Sequence, residues 1–129
     1  MGFANKVAEN KMVAEKCLGL KAYNAGVTRA YYSAFLHIKS YLLKNKFDYK
    51  KFLSQHKPKD RKFSHGTLRA AVIKCLLANG KNPTDVYKLR VIGSLYEKRR
   101  VADYEHINIM ESELKISLDD LNTVLLIVS

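Results

Sequence analysis

The residues best suited to chemistry lie near the end of the fourth predicted helix. An apolar stripe with the three-and-four spacing of one helix face occupies Leu89, Ile92 and Tyr96. The same spacing continues through three polar residues, Arg99, Asp103 and His106. At about 100° per residue, Arg99 and His106 face the same way to within roughly 20° if the helix extends that far, whereas Arg100 is about 120° from His106. Burying such groups costs free energy unless they pair or serve a site.

Two explanations are open for this polar stripe. In the functional one, His106 moves a proton and Arg99 or Arg100 holds a phosphate through its planar guanidinium. Asp103 would then orient Arg99 or His106, and Tyr104 and Arg100 would line the same groove. RNA carries its own nucleophile, the 2′ hydroxyl, so such a site could cleave RNA without a metal. In the structural explanation, Arg99 and Asp103 form an ion pair at helical spacing, and His106 is exposed near the helix end.

Other kinds of active site have little support in the sequence. The histidines fall on different predicted elements, and neither closely spaced cysteines nor a His-x-x-x-His spacing occurs, so we expect no metal. Taken singly, His37 and His65 are more typical of packing or capping residues than of ligands. A glycine-rich phosphate loop and a serine nucleophile elbow are both missing, so we expect no nucleotide hydrolysis, no acyl transfer and no cofactor.

Positive charge is concentrated in one stretch of the chain. The sequence has 23 basic and 12 acidic residues, a net charge of +11, and nine of the basic residues lie between Lys39 and Lys62. Aromatic residues are interleaved with them, which suits stacking on unpaired bases. One interpretation is an RNA-binding surface that uses Lys50, Lys51, Lys59, Arg61 and Lys62. The other is a solvated, lysine-rich surface that keeps the protein soluble; a membrane surface is a weaker alternative because the stretch lacks a long apolar face.

Length and composition predict one helical domain over residues 1–129. Hydrophobic residues make up 47% of the chain, prolines number two, and no sustained strand-type alternation occurs. The longest apolar run, Val124 to Val128, is too short to span a bilayer. We therefore expect a soluble, cytoplasmic protein without a membrane partner. Cys17 and Cys75 lie among apolar neighbours, which favours buried, reduced thiols.

Apolar spacing predicts an all-α, up-and-down bundle of four or five helices. The predicted helices cover about Ala4 to Tyr23, Val27 to Lys44, Gly66 or Thr67 to Asn79, a segment opened by Asn82-Pro83, and a segment after Glu111. Asn24-Ala25-Gly26 is predicted to stop the first helix. A short helix is expected around Asp48 to Gln55. The predicted core comprises Tyr31, Phe35, Ile38, Leu68, Val72, Leu89, Ile92, Leu118, Leu121 and Leu125.

Three segments resemble the HEPN family of helical bundles. Residues 29–37, Arg-Ala-Tyr-Tyr-Ser-Ala-Phe-Leu-His, resemble the pattern of the family's second helix. Ser64-His65-Gly66 resembles the opening of its third helix, and residues 99–104, Arg-Arg-Val-Ala-Asp-Tyr, resemble its Arg-x-x-Ala-Asp-Tyr signature. The segments occur in the family's order and span most of the chain. They are most similar to a small prokaryotic branch, which is often encoded beside a minimal nucleotidyltransferase.

The resemblance implies an HEPN-like fold and a homodimer in which two sites meet in one cleft. In the ribonuclease branches the active site is an Arg and a His a few residues apart, a spacing that Arg99 and Arg100 both have to His106. Neither arginine is followed by the small polar residue usual there. Two functions are therefore carried forward. One is a metal-independent endoribonuclease, as a toxin or a phage-defence component; the other is a non-catalytic module that binds RNA, a nucleotide or a nucleotidyltransferase partner.

Overall fold

The computed structural model describes residues 3–60 and 64–129, and its regular elements within these ranges are all helical. The helices are α1 (Phe3–Gly19), α2 (Tyr23–Lys44), α3 (Tyr49–Ser54), α4 (His65–Ala78), α5 (Pro83–Tyr87), α6 (Val91–Tyr104) and α7 (Glu111–Ile127). Single 3-10 turns cover Pro58–Asp60 and Lys88–Arg90. The all-α prediction is confirmed for the described part of the chain, and none of its helices is long and apolar enough to cross a membrane.

Helix α2 is the centre of the bundle, because it contacts α1, α4, α6 and α7. Its buried face carries large apolar residues on successive turns, with small residues between them, so that neighbouring helices approach closely: Val27, Ala30, Tyr31, Ala34, Ile38 and Leu42. Burying one Val or Leu side chain stabilises the fold by roughly 1.5–3 kcal/mol. The predicted core is confirmed, although Phe35, Leu118 and Leu125 are only partly buried. Cys17 and Cys75 are buried free thiols, as predicted.

The start of α2 differs from the prediction. Asn24-Ala25-Gly26, expected to stop the first helix, instead forms the first turn of α2. The chain reverses earlier, where Lys21 adopts the left-handed conformation with φ 58°. The Ala22 amide donates to the Cys17 carbonyl over 2.9 Å and the Lys21 amide to the Leu18 carbonyl over 3.3 Å. This is the Schellman pattern of a helix C-terminus, built here on a lysine where glycine is usual.

Gly26 is buried for a packing reason that the sequence pattern does not reveal. A Cβ at this position would lie 2.7 Å from Leu114 Cδ2 and 3.0 Å from Cys17 Cβ. Glycine therefore allows α1 and α7 to approach the first turn of α2. The prediction treated the residue as a helix stop because a local pattern cannot show which neighbours come close.

The predicted fourth helix is divided and ends early. It begins as predicted, with Pro83 in the first turn and the Thr84 amide donating to Asn82 Oδ1 over 2.8 Å. The 3-10 turn Lys88–Arg90 then separates α5 from α6. Helix α6 ends at Tyr104, and the next residue, Glu105, takes an extended conformation with φ −109° and ψ 160°. His106 therefore lies outside the helix, and the helical extension to this residue is wrong.

Candidate functional site

Arg99 on α6 reaches across to α2 and is held by two polar contacts. Its Nη2 donates a hydrogen bond to the Tyr32 hydroxyl over 3.2 Å. Its Nε lies 3.0 Å from Asp103 Oδ2, one turn later on α6, as an ion pair without hydrogen-bond geometry. The Arg99 and Asp103 side chains are 19% and 30% exposed, so water screens the pair only in part. Burial is the largest single influence and lowers the pKa of Arg99, but Tyr32, Asp103 and Tyr104 together raise it by more, and the guanidinium stays charged.

The second oxygen of Asp103 ties the same two helices together. Asp103 Oδ1 accepts a hydrogen bond from the Thr28 hydroxyl over 2.9 Å. Thr28 and Tyr32 are one turn apart on α2, and they contact Asp103 and Arg99, which are one turn apart on α6. Because the order of the contacts is reversed between the helices, α2 and α6 run antiparallel at this point.

Three tyrosine rings surround the Arg99 guanidinium. Its central carbon lies 5.5 Å from the ring centroids of both Tyr31 and Tyr32 and 5.8 Å from that of Tyr104. Cation–π contacts of this kind contribute about 0.5–2 kcal/mol, more where water is excluded. Tyr31 is buried, whereas Tyr104 is 70% exposed and covers the guanidinium from the solvent side. The cation is therefore oriented by both its charged and its aromatic neighbours.

A groove of about 480 Å³ lies beside this cluster. It is lined by aromatic residues, one serine and one cation: Tyr31, Tyr32, Phe35, Ser64, His65, Tyr96 and Arg99. Tyr31 meets the rings of Tyr32 and Tyr96 edge-on, with centroids 5.6 and 5.8 Å apart. The His65 ring stacks on Tyr96, with centroids 3.7 Å apart and planes 9° from parallel. The groove thus combines flat apolar surfaces with one fixed positive charge, which matches a base joined to a phosphate.

The surroundings of His65 favour its neutral form, because they lower the pKa of the ring. Burial and then the positive charge of Arg69 lower its pKa from 6.5, while Glu97 opposes the shift. A neutral imidazole offers one ring N–H donor and one acceptor nitrogen. The ring therefore stacks on Tyr96 without adding a second charge to the groove, and it can still form a hydrogen bond.

Of the five site residues predicted near the end of α6, three come together and two do not. Arg99, Asp103 and Tyr104 form one cluster. His106 lies in the bend after α6 and is exposed, and across residues 3–60 and 64–129 no hydrogen bond or ion pair joins it to Arg99, Arg100 or Asp103. This geometry agrees with the structural explanation of the polar stripe, in which Arg99 and Asp103 form an ion pair and His106 is exposed. The extended conformation of Glu105 takes His106 off the helical face.

Arg100 is engaged elsewhere. Its Nη2 lies 2.6 Å from Glu97 Oε1 and its Nη1 lies 2.9 Å from Glu105 Oε1. The hydrogen bonds to Glu97 and Glu105 raise the pKa of Arg100. Arg100 does not line the groove beside Arg99, because adjacent residues of a helix point about 100° apart.

The predicted basic surface is only partly described. Lys50 and Lys51 lie on α3 and Lys59 lies in the 3-10 turn Pro58–Asp60, and all three side chains are exposed. None of them forms an ion pair with any described residue. Arg61 and Lys62 lie outside the described residues. The stretch leads directly into Ser64 and His65, which line the groove.

The sequence interpretation missed Thr28, Tyr32 and the stacking of His65 on Tyr96. Tyr32 could have been identified as a site residue from the sequence, because it is the second of two adjacent aromatic residues in segment 29–37 and lies one turn after Thr28. No local signal pairs His65 with Tyr96, since the two residues are on different helices.

A second, larger cavity of about 630 Å³ is a less suitable anion site. It is bordered by residues at the C-terminal ends of three helices, including Lys44, Asn79 and Val128. The carbonyl ends of helices carry partial negative charge, which the two lysines that line this cavity, Lys44 and Lys81, offset. Among the described residues, no group of three or more His, Cys, Asp or Glu side chains is placed to bind a metal ion.

Neither family models nor curated proteins match this chain. The resemblance to the HEPN family therefore rests on the three sequence segments 29–37, 64–66 and 99–104. Two of these, 29–37 and 99–104, supply the facing sides of the Arg99 cluster, and 64–66 supplies the His65 wall of the groove.

Proposed function

We propose that this chain is an HEPN-type helical module that binds RNA through the groove beside Arg99. The observation that carries the proposal is the unsatisfied part of the Arg99 guanidinium. Nε pairs with Asp103 and Nη2 donates to Tyr32, but Nη1 forms no hydrogen bond with any described residue. A phosphate oxygen can accept from Nη1 while the adjoining base packs against the aromatic lining.

The charge of the whole chain supports a polyanion as ligand. Its net charge is +11, and the exposed lysines Lys50, Lys51 and Lys59 lie on the segment that leads into the groove wall. Lysine contacts to phosphates release counterions and give affinity without sequence preference. In this arrangement the lysines attract the RNA, and the groove orients one nucleotide of it.

The same geometry favours binding over cleavage within one chain. Cleavage needs a group that moves a proton at the 2′ hydroxyl, and His106 is not joined to the Arg99 cluster. The endoribonuclease function stays a prediction, and it requires a second copy to bring His106 to the groove. The homodimer, the nucleotidyltransferase partner and the cytoplasmic location also stay predictions.

Fluorescence anisotropy with a 5′-labelled, unstructured RNA tests the proposal. The Arg99→Ala variant should bind about tenfold more weakly than the wild type, a loss of about 1.4 kcal/mol. The matched control is Lys16→Ala, which removes the same charge from an exposed residue of α1 outside the groove and should change affinity less than twofold. Equal losses in the two variants would reject the groove as the binding site. Circular-dichroism melting of both variants separates lost binding from lost folding.

A further inference from the structure

A second cavity adjoins the groove, and His65 borders both of them. The groove beside Arg99 has a volume of about 480 Å³, and the adjacent cavity has a volume of about 330 Å³. The second cavity is lined by residues of α4: His65, Gly66, Arg69, Ala70 and Ile73. The volume of the groove falls in the range of roughly 300–1,000 Å³ that is typical of small-ligand sites, whereas the second space is an open strip along one face of α4. Because one imidazole borders both, a chain-like ligand can pass from one cavity to the other across His65.

Arg69 places a second cation on this route. It is partly buried on α4, one turn after His65, and its Nη1 would lie 3.8 Å from a Cβ at Gly93 on α6. The Arg69 guanidinium therefore reaches α6 beside Gly93, at an ordinary van der Waals distance. Arg69 forms no ion pair with any described carboxylate, so its charge is available to a ligand. Arg99 thus lines the groove and Arg69 lines the adjacent space, and His65 borders both.

We infer that the ligand is single-stranded RNA that crosses His65, with successive phosphates held by Arg99 and Arg69. The inference rests on the proposed function and extends it by naming the strandedness and the course of the RNA. One face of the His65 ring is covered by Tyr96, and the ring still borders both cavities. An unpaired base stacks on the other face of the imidazole. Base stacking on an aromatic side chain contributes about 1–3 kcal/mol and tolerates different bases, because every base has a flat π face.

Double-stranded RNA does not fit this arrangement. In a duplex both faces of each base are covered by neighbouring base pairs, so a base cannot stack on His65 without leaving the helix. The lysines of α3 and of the 3-10 turn can still attract a duplex, but the two cavities then stay empty. The preference for single-stranded over double-stranded RNA is therefore expected to depend on His65 and Arg69. The affinity for single-stranded RNA is expected to depend also on the exposed lysines.

The test compares two labelled RNAs, hexauridylate and a uridine dinucleotide, on wild-type protein, four variants and a charge-matched control. Arg69→Ala is expected to lower the affinity for hexauridylate about tenfold and to leave the dinucleotide unchanged, since only the longer strand reaches Arg69. Arg99→Ala should lower the affinity for both. His65→Ala should weaken hexauridylate binding, and His65→Phe, which keeps a flat ring, should restore it. An unlabelled blunt RNA duplex should compete at least tenfold less well than unlabelled hexauridylate.

Lys16→Ala is the charge-matched control, because Lys16 is exposed on α1 and lines neither the groove nor the second space. The inference is overturned if Arg69→Ala and Lys16→Ala bind hexauridylate equally, if His65→Phe fails to restore binding in a folded protein, or if the duplex competes as well as the single strand. If Arg99→Ala still weakens binding in any of those cases, only the inference fails. If Arg99→Ala binds both RNAs as well as the Lys16→Ala control, the proposed function fails as well.

Discussion

Arg99 and Asp103 form an ion pair across one turn of α6, with Nε 3.0 Å from Oδ2, and the same carboxylate accepts a hydrogen bond from Thr28 on α2. Asp103 therefore has a structural task besides orienting Arg99, because it fastens α6 to α2. This arrangement gives the polar stripe of α6 a stabilising function that does not depend on any ligand.

Replacing Asp103 tests that structural function. Asp103→Ala should lower the free energy of unfolding by about 1–2 kcal/mol, because it removes the ion pair and the hydrogen bond to Thr28. Thr28→Val, which removes only the hydrogen bond, should cost about 1 kcal/mol. Urea denaturation followed by circular dichroism measures both. The control is Asp119→Ala on the exposed side of α7; a loss there as large as at Asp103 would contradict the link between the helices.

Gly26 should be intolerant of the smallest side chain. Gly26→Ala places a Cβ 2.7 Å from Leu114 Cδ2 and should lower the free energy of unfolding by about 1–3 kcal/mol. Gly19→Ala is the matched control, since a Cβ at Gly19 would meet no atom of another residue within 4 Å. Alanine should leave stability unchanged there or raise it by up to about 1 kcal/mol. Equal melting temperatures for the two variants would show that the helices do not approach at Gly26.

The lysine-rich stretch should make RNA binding dependent on salt. Reversing Lys50, Lys51, Lys59 and Lys62 to Glu should weaken binding by well over tenfold, because phosphate contacts release counterions. The wild-type affinity should fall steeply between low and physiological salt, and the quadruple variant should show a shallower slope. Binding that ignores salt, or no binding at all, would assign these lysines to solubility.

The endoribonuclease prediction has its own assay. If cleavage occurs, purified protein should cut total RNA in excess chelator, His106→Ala should abolish cleavage yet bind RNA normally, and Arg99→Ala should impair both. Arg99→Ala should impair binding as well as cleavage, because a group that holds the phosphate acts in the bound state as well as in the transition state. Cleavage by His106→Ala at the wild-type rate, or activity that disappears only in chelator, would contradict this mechanism.

Assembly is a separate prediction. We expect a two-fold symmetric homodimer that brings the two copies of Arg99, Asp103 and His106 toward a shared groove. Light scattering at micromolar concentration should give twice the mass of one chain. If cleavage is observed, mixing Arg99→Ala with His106→Ala chains should restore part of it, provided that each site combines residues from both copies. A strictly monomeric mass would contradict the dimer.

Helix positions and core residues could be predicted from the sequence because they depend on local periodicity. The three-and-four spacing in α2, α4 and α7 repeats every turn, so the buried face follows from side-chain types alone. The ion pair between Arg99 and Asp103 was also foreseeable, since residues four apart on a helix are neighbours. Local geometry determines these features whatever the rest of the chain does.

The groove could not be predicted from the sequence, because it is formed by contacts between helices and no local pattern contains them. The antiparallel arrangement of α2 and α6 brings Thr28 to Asp103 and Tyr32 to Arg99, across separations of 75 and 67 residues. The stacking of His65 on Tyr96 likewise joins two helices.

Two local predictions were wrong for the same kind of reason. Gly26 was taken for a helix stop because a glycine that ends a helix and a glycine where two helices approach closely cannot be told apart from the local sequence. His106 was misplaced because neither glycine nor proline marks the end of α6, where the extended Glu105 ends the helical periodicity. Sequence alone therefore determined the helices and their buried faces through local geometry, whereas only tertiary packing decided which polar and aromatic side chains share a site.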